Sequence, residues 1–365
     1  MKHTLLIALA FIITYSAQSQ GCVAIRNNGS TCTMMESHET QGHSGWVFAL
    51  NNRYFKSYKH FVGTVEQKER VEKGTEVINH VFSTEMALTK QFNSRWSFGM
   101  FVPVISNARS SMYEHYGNTS TSPNARRSTH SFGIGDMRFA AYYWLLDPAT
   151  ATRRNLQLGL GIKLPTGDYR YQDYFYKNDS TKVLGPVDQS IQLGDGGTGI
   201  TLELNSFSSL SKELSLYLNG FYLSNPREQN GVSTSRGGAV SATNIAYGTD
   251  VMSVPDQYMA RAGANYNLEH FSFSAGMRIE GVPAEDIIGG SNGFRRPGYV
   301  LSAEPVVAYR INKTQLYVSV PVAVERNRTQ SVADKLRTTK TGTYTQGDAA
   351  FADYTINLGV SFALK

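Results

Sequence analysis

The chain is organised by a two-residue alternation of apolar and polar positions. Residues 154–168 read Arg-Asn-Leu-Gln-Leu-Gly-Leu-Gly-Ile-Lys-Leu-Pro-Thr-Gly-Asp, with Leu156, Leu158, Leu160, Ile162 and Leu164 on one parity and Gln157, Gly159, Gly161 and Lys163 on the other. Successive side chains of a strand point to opposite faces, so this segment has one aliphatic face and one polar face. A tilted strand crosses a bilayer in ~9–11 residues, and the aliphatic face is about that long. The pattern returns where Phe271, Phe273, Ala275, Met277 and Ile279 alternate with Ser272, Ser274, Gly276, Arg278 and Glu280. It returns again where Leu316, Val318, Val320, Val322 and Val324 alternate with Tyr317, Ser319, Pro321, Ala323 and Glu325.

Strand-like segments fall near 45–55, 76–90, 95–106, 131–146, 154–165, 198–209, 213–225, 256–268, 270–281, 299–311, 315–326 and 350–364. Their connectors alternate in length. Short ones lie at 91–94, 147–153, 210–212, around Glu269 and at 312–314, and long polar ones at 56–75, 107–130, 166–197, 226–255, 282–298 and 327–349. The predicted fold is all-β, a single transmembrane antiparallel β-barrel of about 12 strands with short periplasmic turns and long extracellular loops. An even strand number places both termini in the periplasm.

Charge placement supports a membrane barrel, because a charge facing lipid near the midplane costs ~2–4 kcal/mol and one facing a wet lumen costs little. Arg53, Arg138, Lys163, Arg261, Arg278 and Arg310, with Glu85, Asp136, Glu203, Glu280, Glu304, Glu325 and Asp353, all fall opposite the apolar parity of their strands and are read as lining the lumen. The two signs nearly balance, which predicts a narrow lumen cross-linked by ion pairs rather than a strongly ion-selective pore. A soluble sandwich would carry its charges outside. Trp46, Tyr54, Trp96, Tyr143, Trp144, Tyr258, Tyr266, Tyr299 and Tyr309, near strand ends, fit interfacial girdles.

The first residues match an exported chain: Lys2, an apolar run from Leu5 to Tyr15, then Ala17-Gln-Ser19 as a small-residue cleavage site. The expected organisation is a signal peptide over 1–19, a periplasmic segment or hatch over 20–44 and the barrel over 45–365. Cys22 and Cys32 both lie before the first strand and are expected to pair in an oxidising periplasm. A lipobox reading of Cys22 and a zinc reading with His38 and His43 are the weaker alternatives. Downstream, no apolar run approaches a spanning helix.

Phe132-Gly-Ile-Gly-Asp136-Met-Arg138, followed by Gly159-Leu-Gly-Ile-Lys163-Leu-Pro-Thr-Gly-Asp168, resembles the transporter-like outer-membrane family named for the meta-pathway of phenol degradation. There a Gly-x-Gly-Asp strand precedes a Lys-Leu-Pro-Thr-Gly-Asp strand end. The resemblance implies a channel akin to the long-chain fatty acid and aromatic hydrocarbon transporters, passing small hydrophobic or aromatic solutes. It also implies a hatch-like N-terminal segment. The chain ends Val360-Ser-Phe362-Ala-Leu-Lys365, whereas many outer-membrane barrels end on the aromatic that the barrel assembly machinery reads. Gly133, Gly135, Gly159 and Gly161 share the lumen parity, where they serve either barrel curvature or a gap for a ligand.

Tyr169, Tyr171, Tyr174, Phe175 and Tyr176 form a dense aromatic run in the third long loop, read either as a solute-capture site or as an aromatic-rich upper strand. Enzyme readings fare poorly. The outer-membrane phospholipase pattern places a His two residues before Ser-Asn-Gly, whereas Ser291-Asn-Gly293 follows Gly289-Gly290. His80 falls on the lipid parity and His270 at a turn, and an acid protease would have to use loop residues such as Asp168 and Asp173. The net charge of +6 is dispersed among loops that also carry acids, which argues against nucleic acid. Lys56, Lys59, Lys68, Arg70 and Lys73 are placed to meet lipopolysaccharide. The reading is a passive channel without cofactor, metal or catalysis, in contact with outer-membrane lipid. The alternative is a structural or adhesive barrel with a closed lumen and partner-binding loops.

Overall fold

The computed structural model describes residues 45–364. The expected leader, the segment over 20–44 and the Cys22–Cys32 pair lie outside the described residues. The remaining chain forms a closed antiparallel barrel of 12 staves. Ten staves are continuous: β1 (Gly45–Val62), β2 (Ile78–Gln91), β3 (Trp96–Ser111), β6 (Arg154–Lys163), β7 (Gly199–Ser209), β8 (Leu214–Ser224), β9 (Gln257–Leu268), β10 (Phe271–Val282), β11 (Gly298–Ile311) and β14 (Ala349–Leu364). Two are split, into β4 (Arg127–Ile134) with β5 (Arg138–Trp144), and β12 (Thr314–Ser319) with β13 (Val322–Asn327). The ladder closes where β1 pairs β14, from Trp46 opposite Leu364 to Phe61 opposite Ala349.

Each split lies opposite a proline of the neighbouring strand. Val104 pairs Ile134 and Phe101 pairs Arg138, so Pro103 faces the break at 135–137. Val306 pairs Ser319 and Ala303 pairs Val322, so Pro305 faces the break at 320–321, which contains Pro321 itself. Proline has no N–H to give the ladder, so strand prolines collect at bulges and breaks. At the opposite end of the barrel the turns are tight. Two-residue connections at Glu269-His270 and Asn312-Lys313 carry positive φ at their first residue, 35° and 52°, as the twist of a short hairpin demands.

The alternation divides the wall as its parity predicts. Leu158, Leu160, Ile162, Ile200, Leu202, Leu218, Met277, Val318 and Leu358 point outward and are exposed, whereas Gln157, Lys163, Glu203, Asn219, Arg278 and Asn357 are buried inside. Aromatics ring the turn end, where Trp96 lies 4.7 Å from Tyr143 and Phe271 lies 4.6 Å from Tyr309. Three details differ from expectation. Trp144 is buried edge-on against Phe207 rather than in the girdle. Glu325 is exposed and accepts from the Tyr299 hydroxyl at 2.6 Å, because a bulge between Leu301 and Ser302 shifts the register and turns Arg326 inward instead. The longer reach of β1 places Lys56 on the outer face beyond the apolar band, while Lys59 turns inward and pairs with the half-buried Asp353 at 3.2 Å.

Outer and inner positions on one stave should therefore respond oppositely to charge. Leu160→Arg is expected to lower barrel stability in lipid vesicles by about 2–4 kcal/mol, and Gln157→Arg by distinctly less. Denaturant titration of the two variants measures the difference.

Candidate functional site

The interior holds two levels of charge. Near mid-barrel, Glu280 accepts from Arg53 at 2.7 Å and from Arg278 at 3.0 Å. Glu304 lies 3.7 Å from both Arg261 and Arg278 and accepts from Ser319 at 2.9 Å. Across the lumen, Arg138 pairs with Glu203 while stacking 3.8 Å over the Phe101 ring, and the Tyr142 hydroxyl donates to the same carboxylate at 3.1 Å. Arg53, Arg138, Arg261, Arg278, Glu203, Glu280 and Glu304 are all buried. Parity delivers them to one space, and their opposite charges make that space habitable, since an unpaired buried ion costs several kcal/mol. Arg310 lies apart, half-buried at the turn end of β11. Closer to the turns the lumen is filled by a neutral chain, Asn219 to Asn205 at 2.7 Å and Asn205 to Gln157 at 3.0 Å.

The two sequence motifs meet. At the break between β4 and β5, Asp136 turns inward and accepts the backbone N–H groups of Gly167 and Asp195, each at 3.0 Å. Lys163, the last residue of β6, lies 3.6 Å from Asp136 and pairs with Asp195. Thr166 completes the contact: its hydroxyl donates to the Gly135 carbonyl at 2.9 Å and accepts the Met137 N–H at 2.8 Å. Gly167 is required because a Cβ there would lie 2.7 Å from the Leu193 carbonyl oxygen. Pro165-Thr-Gly-Asp168 thus does more than end a strand. It clasps the third long loop into the barrel mouth and directs residues 189–195 inward. Gly159 leaves neither slack nor a ligand gap, since its missing Cβ makes room for the Tyr142 ring.

Above the mid-barrel charges, the inward loop encloses a cavity of about 100 Å³ against β1, β2 and β3. Phe55, Val81, Ile105 and Met252 form its apolar wall, and Asn79, Asn107 and Gln192 are among its polar groups. Arg53 lies at its border, so the mid-barrel ion pairs form the floor.

The roof is a second ion cluster. Asp188 accepts from Arg296 at 2.8 and 2.7 Å and lies 3.4 Å from Arg109, which itself grips Glu114 at 3.1 Å. Burial pushes the Asp188 carboxyl up, but Arg109 and Arg296 outweigh it and hold the group well below the usual carboxylate range. At the seam, Asp348 is raised by burial yet brought down to about 2 by His60 and Arg70. Arg109 lies past the expected end of its strand; continued parity through Ile105 and Asn107 was the signal for it. Asp188, Arg236 and Arg296 lie in loops without periodicity, and no sequence signal marks them.

The aromatic run does not form one surface. In the loop strand Gln172–Tyr176, Phe175 is fully buried and lies 5.7 Å from the His115 ring, whereas Tyr174 is exposed beside Lys182. Tyr171 is half-buried, Tyr169 borders Gly196, and Tyr176 stacks on Arg127. Among the described residues no group of three or more His, Cys, Asp and Glu side chains is arranged to hold a metal ion.

No family model matches the chain, and no curated protein matches it in sequence. Among solved structures, an outer-membrane channel from Pseudomonas putida F1 aligns with a TM-score of 0.56 at 13% identity, over 88% of this chain and 96% of that one. The translocator domain of the autotransporter NalP from Neisseria meningitidis gives 0.44 at 10% identity, over 88% and 89%. The toluene transporter TbuX of Ralstonia pickettii gives 0.42 at 11% identity, over 91% and 93%. The first likeness shows that the chain has the fold of an outer-membrane channel barrel.

Two outcomes test the site. Asp136→Ala removes a charged acceptor from two backbone donors and is expected to cost about 1–3 kcal/mol. Limited proteolysis should then cut within residues 166–197, while Asp136→Asn, which keeps an acceptor, should protect that loop better. His115 accepts the Tyr176 N–H at 3.0 Å, and burial pushes its pKa from 6.5 down to about 4. Because the unfolded chain takes up this proton first, the stabilisation is full above pH 6.5 and is lost as pH falls toward 4. Hydrogen exchange of residues 172–186 should accelerate over that window, and His115→Gln should flatten the dependence.

Proposed function

We propose that the protein is an outer-membrane channel for passive uptake of small hydrophobic or aromatic solutes, with the long loops outside the cell and both termini in the periplasm. The observation that carries this reading is the 100 Å³ cavity between inward loop and wall, apolar on one side and polar on the other. An aqueous porin would leave its lumen charges wet, whereas here the floor charges are buried against one another. A cavity of this kind favours a small, partly apolar guest that moves by displacing ion-paired side chains over a hydrated ion. Asp136, Arg138, Lys163, Glu203, Arg261, Arg278, Glu280 and Glu304 then serve as the walls of the passage, and outer-membrane lipid and lipopolysaccharide surround it. The resemblance to the phenol-pathway family supports the same solute class through its two motifs, which the fold brings into contact.

The buried floor also favours a second reading, a closed structural barrel whose loops bind partners. Uptake separates the two. Refolded protein in liposomes should admit monoaromatic solutes faster than empty liposomes, and a strain lacking the protein should take them up more slowly. Equal rates in both assays would refute the channel reading in favour of the closed barrel.

A further inference from the structure

One row of outward side chains can be followed across the ladder from stave to stave. Ile134 is opposite Val104, Val104 opposite Thr84, Thr84 opposite Asn52, Asn52 opposite Leu358 and Leu358 opposite Val318. The outer members are apolar, and Ile134, Leu358 and Val318 are exposed. The two at the centre, Asn52 and Thr84, are polar. Their chain neighbours Asn51, Arg53 and Glu85 are buried in the lumen, so the pleat turns Asn52 and Thr84 toward lipid.

Height matters as much as face. Trp46 is exposed at the turn end of β1 with the Lys90 ammonium 5.1 Å over its ring, a pairing of the membrane boundary. Asn52 follows on the same strand. At about 3.3 Å per residue and a tilt of about 40°, the steps from Trp46 to Asn52 climb about 15 Å into an apolar band about 25 Å tall. Asn52 is therefore well inside the hydrocarbon. Its side chain is too short to reach a headgroup from there, as lysine and arginine do.

Within its own barrel the Asn52 amide is only half satisfied. Its Oδ1 accepts from the Thr84 hydroxyl at 2.7 Å, and its Nδ2 donates to the Leu358 carbonyl at a long 3.4 Å. A side-chain amide has two N–H donors and an oxygen with two lone pairs. One N–H and one lone pair thus have no partner among the described residues. Lipid tails offer neither donor nor acceptor, and in membranes such groups pair with a neighbouring protein segment. Apolar side chains carry no such preference, because lipid contacts them as well as protein does. The amide is what sets this part of the wall apart.

We propose that Asn52 is the centre of a contact between two copies of this chain in the membrane. Copies inserted the same way round are related by rotation about the bilayer normal, which sets the same residue of each at the same height. A two-fold axis beside β1 brings Asn52 opposite its own counterpart, an isologous contact. Each Nδ2 then gives its free N–H to the Oδ1 of the other copy, and the Thr84 hydroxyl keeps the remaining lone pair. What is left over in one copy is the complement of what is left over in the other. Phe82 and Leu358, exposed on either side of Asn52, pack around the axis. The contact uses the outer wall alone and is independent of what passes through the lumen.

Self-association of the full-length protein in phosphatidylcholine vesicles provides the test, read by single-molecule photobleaching of protein carrying one dye, over a range of protein-to-lipid ratios. The unmodified protein should show a reversible monomer–dimer equilibrium. Asn52→Leu should weaken it about tenfold, the scale of two amide hydrogen bonds made in lipid. Asn52→Ser, which still accepts from Thr84 but is too short to pair across the axis, should weaken it likewise and stands in if leucine disturbs assembly. Leu160→Ala, on the distant stave β6, should leave it unchanged. Heat-modifiable gel mobility establishes that each variant is folded. Monomers at every ratio overturn the assignment, and this is also the outcome if lipid or a different protein covers the face. A dimer whose dissociation constant is the same in the folded Asn52→Leu and Asn52→Ser proteins overturns it as well.

Discussion

The backbone ladder closing β1 onto β14 is the contact on which the rest of the molecule depends. In hydrocarbon every N–H and C=O must find a partner within the protein, and a sheet meets that demand only when it has no edge. Closure from Trp46–Leu364 to Phe61–Ala349 supplies it. Once the ring is shut, the pleat assigns every side chain to lipid or lumen, and a slip of one residue would reverse the whole assignment. The aliphatic outer face and the polar inner face are therefore one decision, made by register.

The inner face then has a problem of its own. Polar residues brought inside are buried there, and groups withdrawn from solvent have to find partners within the protein. The Glu280 and Glu304 carboxylates shared by Arg53, Arg261 and Arg278 do so at mid-barrel, and the Asn219, Asn205 and Gln157 amides do so toward the turns. Such pairs add little net stability over apolar packing, yet losing one partner of a buried pair is expensive. They act as a keyed filling, and they divide the interior into a packed lower half and a roomier upper half.

The upper half is shaped by loops held as firmly as the wall. Asp136 sits at a strand break opposite Pro103 and binds the backbone of the third long loop, so a defect in the ladder becomes an anchor. That loop reaches down to bound the lumen cavity, and Asp188 on it ties β3 to the loop bearing Arg296. The lumen cavity lies between a wall set by hydrogen-bond register and a roof set by ion pairs.

The chain by itself determined where the staves run, the face most of their side chains take and the end bearing the long loops, because all three follow from period-two alternation and from turn residues, which are local. Lys163, Glu203, Arg278 and Glu280 were legible as inward for that reason. Who pairs with whom was not: Arg53 with Glu280, more than two hundred residues apart, depends on which staves close the ring. Glu325 faced outward and Trp144 inward because a bulge and a neighbouring aromatic, invisible to alternation, acted there. The inward course of residues 189–195, the cluster around Asp188 and the lumen cavity came from tertiary structure alone. Loops carry no period, and their paths are decided by contacts that exist only once the barrel has formed.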